Sequence, residues 1–160
     1  MIDKDGFRSN IGIIVINADK KVLWAKRAGT VNAWQFPQGG IHEGELPLEA
    51  MYRELKEELG LLPSQVQVLA ESTHWLRYRL PPRFQRSGEE TRCIGQKQKW
   101  FLLSLLVEDA CIRVDAATPP EFDEWKWVDY WQPLKEVIFF KLRVYEKILR
   151  EFESVITNRQ

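Results

Sequence analysis

The stretch Gly39-Gly40-Ile41-His42-Glu43-Gly44-Glu45-Leu46-Pro47-Leu48-Glu49-Ala50-Met51-Tyr52-Arg53-Glu54-Leu55-Lys56-Glu57-Glu58-Leu59-Gly60-Leu61 passes from a glycine loop into a helix that closes on a glycine. Pro47 stands where a first helical turn begins, because proline lacks the N–H that such a turn leaves unpaired, and Gly60 stands where the chain must leave the helix. Between them Leu48, Met51, Tyr52, Leu55 and Leu59 recur at helical spacing and make an apolar face. Glu54, Glu57 and Glu58 fall together on another face, since successive residues turn by about 100°. Like charges three or four positions apart cost about 0.2–0.5 kcal/mol per pair. Folding alone does not favour three converging carboxylates. A hard divalent cation reverses the sign of their interaction, and carboxylate oxygens suit Mg²⁺ or Mn²⁺, ions that also bind phosphates.

Strand-like segments lie on both sides of this helix. Ile11–Ile16 is a β-branched run that reads as a buried strand, and Val22–Ala25 returns after the turn Asn17–Lys20. Trp34–Gly40 is a strand that breaks at Pro37 into the glycine loop. Val66–Ala70, His74–Leu80 and Trp125–Val128 read as further strands, and Lys99–Val107 is apolar enough to be central. From Pro133 to about Ile156, Val137, Phe140, Val144, Ile148 and Phe152 predict one long C-terminal helix. With no repeat, linker or low-complexity stretch, one α/β domain over residues 1–160, with its core at about 6–150, accommodates every element.

Composition narrows the class. The 160 residues are 44% hydrophobic and 29% charged, which is enough apolar material to exclude disorder as the main state. No apolar run is long enough for a transmembrane helix, and the start Met1–Gly6 lacks the pattern of a signal peptide, so a cytoplasmic protein is expected. Cys93 and Cys111 have no paired spacing and read as ordinary reduced cysteines. His42 and His74 read as structural or solvent-exposed, and no Ser-His-Asp or Cys-His arrangement is legible.

Gly39, five residues, Glu45, seven residues and then Arg53-Glu54-Leu55-Lys56-Glu57-Glu58-Leu59-Gly60-Leu61 resembles the Nudix box at every specified position. The resemblance implies a mixed β-sheet between α-helices and hydrolysis of a nucleoside diphosphate linked to another moiety. It implies metal binding by Glu54, Glu57 and Glu58, one of which helps deprotonate the attacking water. It adds the carbonyl of Gly39 as a further ligand and a pairing of Glu45 with Arg53 that holds the loop to the helix. The cofactor so implied is Mg²⁺ or Mn²⁺, with more than one ion when substrate is bound.

Outside the box, Gly6-Phe7-Arg8, Trp34–Ile41, Trp75–Tyr78, Ile94–Phe101, Glu121-Phe122-Asp123 and Phe140-Lys141 look like the RNA pyrophosphohydrolase branch of the family, itself similar to the diadenosine tetraphosphate hydrolases. That likeness implies removal of pyrophosphate from 5′-triphosphorylated RNA, leaving a 5′-monophosphate open to ribonucleases and so promoting mRNA decay. Hydrolysis of dinucleoside polyphosphates is the alternative. Either ligand is a nucleoside polyphosphate end; neither DNA nor a membrane is involved, and the sequence names no protein partner. By the same likeness Glu121 supplies a further metal ligand, Arg8, Arg27, Tyr78 and Lys141 contact phosphates, and Phe140 stacks on a base. A non-catalytic Nudix module would have lost part of the box, whereas all three glutamates stand here. Residues 83–93 are not aligned with the branch, and their arginines either guide RNA or are simply solvated.

Lys plus Arg and Asp plus Glu each number 23, giving a net charge of +0, which by itself speaks against a nucleic-acid binder. The distribution removes that objection. Glu43, Glu45, Glu49, Glu54, Glu57 and Glu58 oppose only Arg53 and Lys56, whereas Arg77, Arg79, Arg83, Arg86, Arg92, Lys97 and Lys99 oppose only Glu89 and Glu90. An acidic site is cancelled by a basic stretch elsewhere, and a polyanion can meet both positive surface and bound cations.

Overall fold

The computed structural model describes residues 2–85 and 93–158, so the expectations attached to Arg86, Glu89, Glu90 and Arg92 lie outside the described residues. One eight-stranded mixed sheet organises them. Its axis is β1 (Phe7–Ile16) in parallel register with β7 (Gly95–Leu105), from Phe7↔Gly95 to Ile16↔Ser104. On one side β1 pairs antiparallel with β2 (Val22–Arg27), which also carries β3 (Trp34–Gln35) and β8 (Phe122–Val128). On the other side β7 carries β5 (Val66–Glu71) and β6 (Leu76–Arg79). The short β4 (Gln38–Gly40) lies antiparallel to Asn10–Gly12.

Alternation along β1 divides the interior in two. Ile11, Ile13 and Val15 join a core closed by Ala50, Met51, Leu55 and Leu59 of α1 (Pro47–Leu59). Ile14 and Ile16 face the opposite way, into a core closed by Val144, Tyr145, Ile148, Leu149 and Phe152 of α3 (Leu142–Thr157). Both faces of the central strands are therefore buried, which is why β1 and β7 read as near-continuous apolar runs. The second core is rich in rings: Trp24, Phe36, Trp100 and Tyr145 meet at centroid separations of 4.9–6.1 Å. Helix α1 ends as its sequence requires, with Gly60 at φ 67° and its N–H donating to the carbonyl of Lys56.

The C-terminal region differs from the single helix expected from Pro133. A short α2 (Pro133–Glu136) stops at Val137 and Ile138, both extended, and a 3₁₀ turn Phe139–Lys141 precedes α3. Two successive β-branched residues weaken the helix there. The interruption has a function in the architecture, because it turns Phe140 and Lys141 toward the sheet.

Candidate active site

Arg53 organises the glycine loop and the acidic helix. Its Nε donates to Glu45 Oε2 at 2.9 Å and one terminal nitrogen donates to Glu45 Oε1 at 3.0 Å, a bidentate pair. The same nitrogen reaches the carbonyl of Gly40 at 2.7 Å, while the other donates to Glu54 Oε1 at 2.7 Å and touches Glu57 Oε2 at 3.5 Å. Glu45 also accepts from the N–H of His42, closing the loop on itself. The guanidinium, together with that N–H, holds the Glu45 carboxyl down to about 2.

The three helix glutamates are not equivalent. Glu54 and Glu58 are buried, whereas Glu57 is exposed. Burial, compounded by Glu54, Glu121 and Glu57, pushes the Glu58 carboxyl well above the usual carboxylate range. Its Oε2 is buried without a hydrogen-bond partner. Gly39 lies directly against Glu54, so that a Cβ built there would land on the Glu54 carboxylate. An orphaned carboxylate oxygen, a backbone kept bare beside a second carboxylate, and a third and fourth acid within electrostatic reach make a donor set suited to a hard divalent cation. Among the described residues no three acids are already gathered as a cage; Glu54 is held by Arg53 instead. Substituting Gly39→Ala is expected to displace Glu54 and cut kcat at least 30-fold, with a loss of about 1–3 kcal/mol from overpacking; turnover assays and thermal melts would measure both, and normal turnover would refute the close approach.

Glu121 links this acidic centre to a neighbouring cavity. Its carbonyl accepts from the N–H of Ala28, and its charge acts on both Glu58 and Lys141. The cavity, about 470 Å³, is lined by Arg27, Trp34, Phe84, Ile138, Phe140 and Lys141 among others. Lys141 is buried, with Nζ at 3.4 Å from Gln35 Oε1 and 3.3 Å from Gln38 Oε1. Burial, helped by the nearby Arg27, lowers its ammonium to about 8. Phe140 packs between Tyr78, at 5.8 Å, and Phe84, at 5.1 Å, while Phe139 is 61% exposed, so the inward ring of the pair is Phe140. Tyr78 is buried, its hydroxyl 3.5 Å from Gln38 Nε2, and burial pushes it up to about 12. Arg8 lies in the same cross-strand row as Gln96 and Tyr78.

Two groups escaped the sequence reading. Phe84 lies in an unassigned segment with no periodicity to mark it. The buried amides Asn10 and Gln98 and the half-buried Gln38 of β4, joined by Gln98 Nε2 at 2.8 Å from Asn10 Oδ1 and 3.3 Å from Gln38 Oε1, form a polar floor beside the glycine loop. Amide residues inside a strand were the only trace of it.

The comparisons agree with this geometry. The NUDIX domain description matches residues 6–148. The chain belongs to the Nudix family. It is 60% identical over 152 residues to the RNA pyrophosphohydrolase of Psychrobacter sp. (94% of this chain, 87% of the relative) and 56% identical over 160 residues to that of Acinetobacter baylyi (100% and 96%). Among solved structures, the E. coli dihydroneopterin triphosphate pyrophosphohydrolase superposes with a TM-score of 0.69 at 20% identity, covering 91% of this chain and 98% of that one. A C. elegans Ap4A hydrolase complex superposes equally well, at 18% identity and with 95% and 99% coverage. These two likenesses establish the fold. Nudix enzymes in general depend on divalent metal ions.

Proposed function

We propose that this Nudix pyrophosphohydrolase acts on the 5′ end of triphosphorylated RNA, releasing pyrophosphate and leaving a 5′-monophosphate. The observation that carries the reading is the juxtaposition, through Glu121, of the acidic helix with an aromatic and cationic cavity, in a chain whose full-length relatives are named RNA pyrophosphohydrolase.

In this reading Glu54, Glu57, Glu58, Glu121 and the carbonyl of Gly39 hold Mg²⁺ or Mn²⁺, more than one ion with substrate in place. The metal supplies neutralisation of the polyphosphate and a lowered pKa for attacking water. The protein's own groups position and select. Glu45 and Arg53 fix the loop so that the Gly39 carbonyl and the Glu54 carboxylate keep their spacing. One of Glu54, Glu57 and Glu58 accepts a proton from the attacking water. Lys141 and Arg27 meet phosphate charge, Arg8 and Tyr78 flank its approach, and the Phe140 ring receives a base by stacking.

Stacking on one aromatic contributes about 1–3 kcal/mol by alanine substitution. Phe140→Ala is therefore expected to raise KM for triphosphorylated RNA about 5- to 150-fold while kcat changes little. The experiment that tests the reading itself is a competition between triphosphorylated RNA and Ap4A at matched concentrations with Mg²⁺. Preferential pyrophosphate release from RNA is the expected result; intact RNA beside rapidly consumed Ap4A would replace this reading with the dinucleotide one.

A further inference from the structure

A second hollow, about 220 Å³, opens at the free edge of β6 and is lined by Trp75, Leu76, Arg77, Arg143, Val144 and Lys147. Three of these six are cationic and exposed. Among the described residues Arg77, Arg143 and Lys147 make no ion pair, and the acids nearest them in sequence on α3 are engaged elsewhere. Glu146 pairs with Arg150 at 3.7 Å, and Glu151 accepts from the N–H and hydroxyl of Thr73 at 2.9 and 3.0 Å. Arg77 lies over the Phe7 ring at 5.7 Å. The half-buried Trp75 has the ammonium groups of Lys97 and Lys99 at 5.5 and 5.8 Å from its ring; these two are paired, with Asp3 at 3.1 Å and Glu71 at 3.7 Å. The hollow therefore combines an indole with three unneutralised cations.

Its position relative to the first cavity is fixed by one helix. Lys141 ends the turn that lines the acid-flanked cavity, and Arg143 and Lys147 lie on the opening turns of α3. Lys147 stands about 9 Å beyond Lys141 along the axis. At the first cavity Arg83 lies over Phe84, one of its lining rings, and over Phe139, at 4.9 and 5.8 Å. Cationic and aromatic side chains thus line both hollows, which are joined in sequence by the start of α3. Such a combination suits single-stranded nucleic acid, whose phosphates it neutralises and whose bases it stacks, without sequence preference.

Resting on the RNA reading above, we infer that this hollow is a second subsite that binds the phosphate backbone of the RNA downstream of the 5′ end. It distinguishes a transcript from a free nucleotide, because only a longer strand has backbone phosphates beyond the end seated in the first cavity.

The test uses the full chain and the pair Arg143→Glu, Lys147→Glu. Both residues are exposed and outside the catalytic machinery, so melting temperature should hold. With triphosphorylated RNA of two nucleotides, kcat/KM should stay unchanged; with a twelve-nucleotide strand it should fall about 10-fold. The salt slope of binding should drop by about 1.4, as two single-strand phosphate contacts are lost. Equilibrium binding of a 5′-hydroxyl twelve-nucleotide RNA, read by fluorescence anisotropy, should weaken by a similar factor and depends on no turnover. If the wild-type protein hydrolyses neither RNA but consumes Ap4A, the proposed function fails, and the anisotropy result still decides the subsite. Unchanged binding and unchanged kinetics on the longer RNA would overturn the inference and leave this surface to a protein partner; equal losses on both lengths would overturn it as well.

Discussion

Replacing Glu58 by glutamine should reduce kcat by about 10³-fold, equal to about 4 kcal/mol of barrier, while the metal-free protein becomes more stable rather than less. The two effects share one cause. Glu58 is buried, its Oε2 has no hydrogen-bond partner, and Glu54, Glu57 and Glu121 all disfavour its charge. An arrangement that opposes folding in the absence of a cation is what a cation requires. Glutamine keeps the shape and removes the charge, so a gain of about 1 kcal/mol, or about 3 °C in melting temperature at this chain length, is expected in chelator at pH 8. Added Mg²⁺ should raise the melting temperature of the wild-type protein and leave that of the variant nearly unmoved. Normal turnover by the variant would remove Glu58 from the mechanism; a lower melting temperature in chelator would contradict the unfavourable burial.

The second large effect concerns Arg53. Substitution by methionine preserves the aliphatic stem but removes the donors to Glu45, Glu54 and the Gly40 carbonyl. Breaking a largely buried charged network costs about 3 kcal/mol, chiefly because the remaining carboxylates lose their partner. The expected outcome is a melting temperature about 10 °C lower and a loop no longer fixed to α1. The pH dependence should change with it. Glu45 has a folded value of about 2 against an ordinary 4.5, so its pairing contributes stability above 4.5 that is lost as the pH falls from 4.5 through 2. The variant should lack that component, and its stability should vary less between pH 5 and 2.5. A double substitution with Glu45→Gln should cost less than the sum of the two single changes; strict additivity would mean that the pair is not coupled.

Much of the fold was legible because its signals are local. Pro47 and Gly60 bracket a helix by their backbone chemistry, and β-branched runs mark β1 and β7 because both their faces are buried. The break at Val137–Ile138 was not legible, since the apolar spacing continues through it, and only the docking of Phe140 and Lys141 against the sheet requires extended chain there. Within the site, spacing put Glu54, Glu57 and Glu58 on one side of a helix, but spacing carries no depth. That Glu54 and Glu58 lie inside and Glu57 outside depends on β4 crossing over the helix, with Gly39 against Glu54. Phe84 and the amide floor Asn10–Gln98–Gln38 arise from contacts 56 to 88 residues apart, which no short motif encodes.

The sheet with two separate cores bears on how such a protein diversifies. The acidic helix is seated in one core, and the aromatic wall formed by Phe140 and the start of α3 is seated in the other, with β1 and β7 as a partition. A substitution that reshapes the aromatic wall repacks only its own side, so the acidic helix across the partition keeps its alignment. Changes on one side of the sheet can therefore accumulate without disturbing the packing of the other.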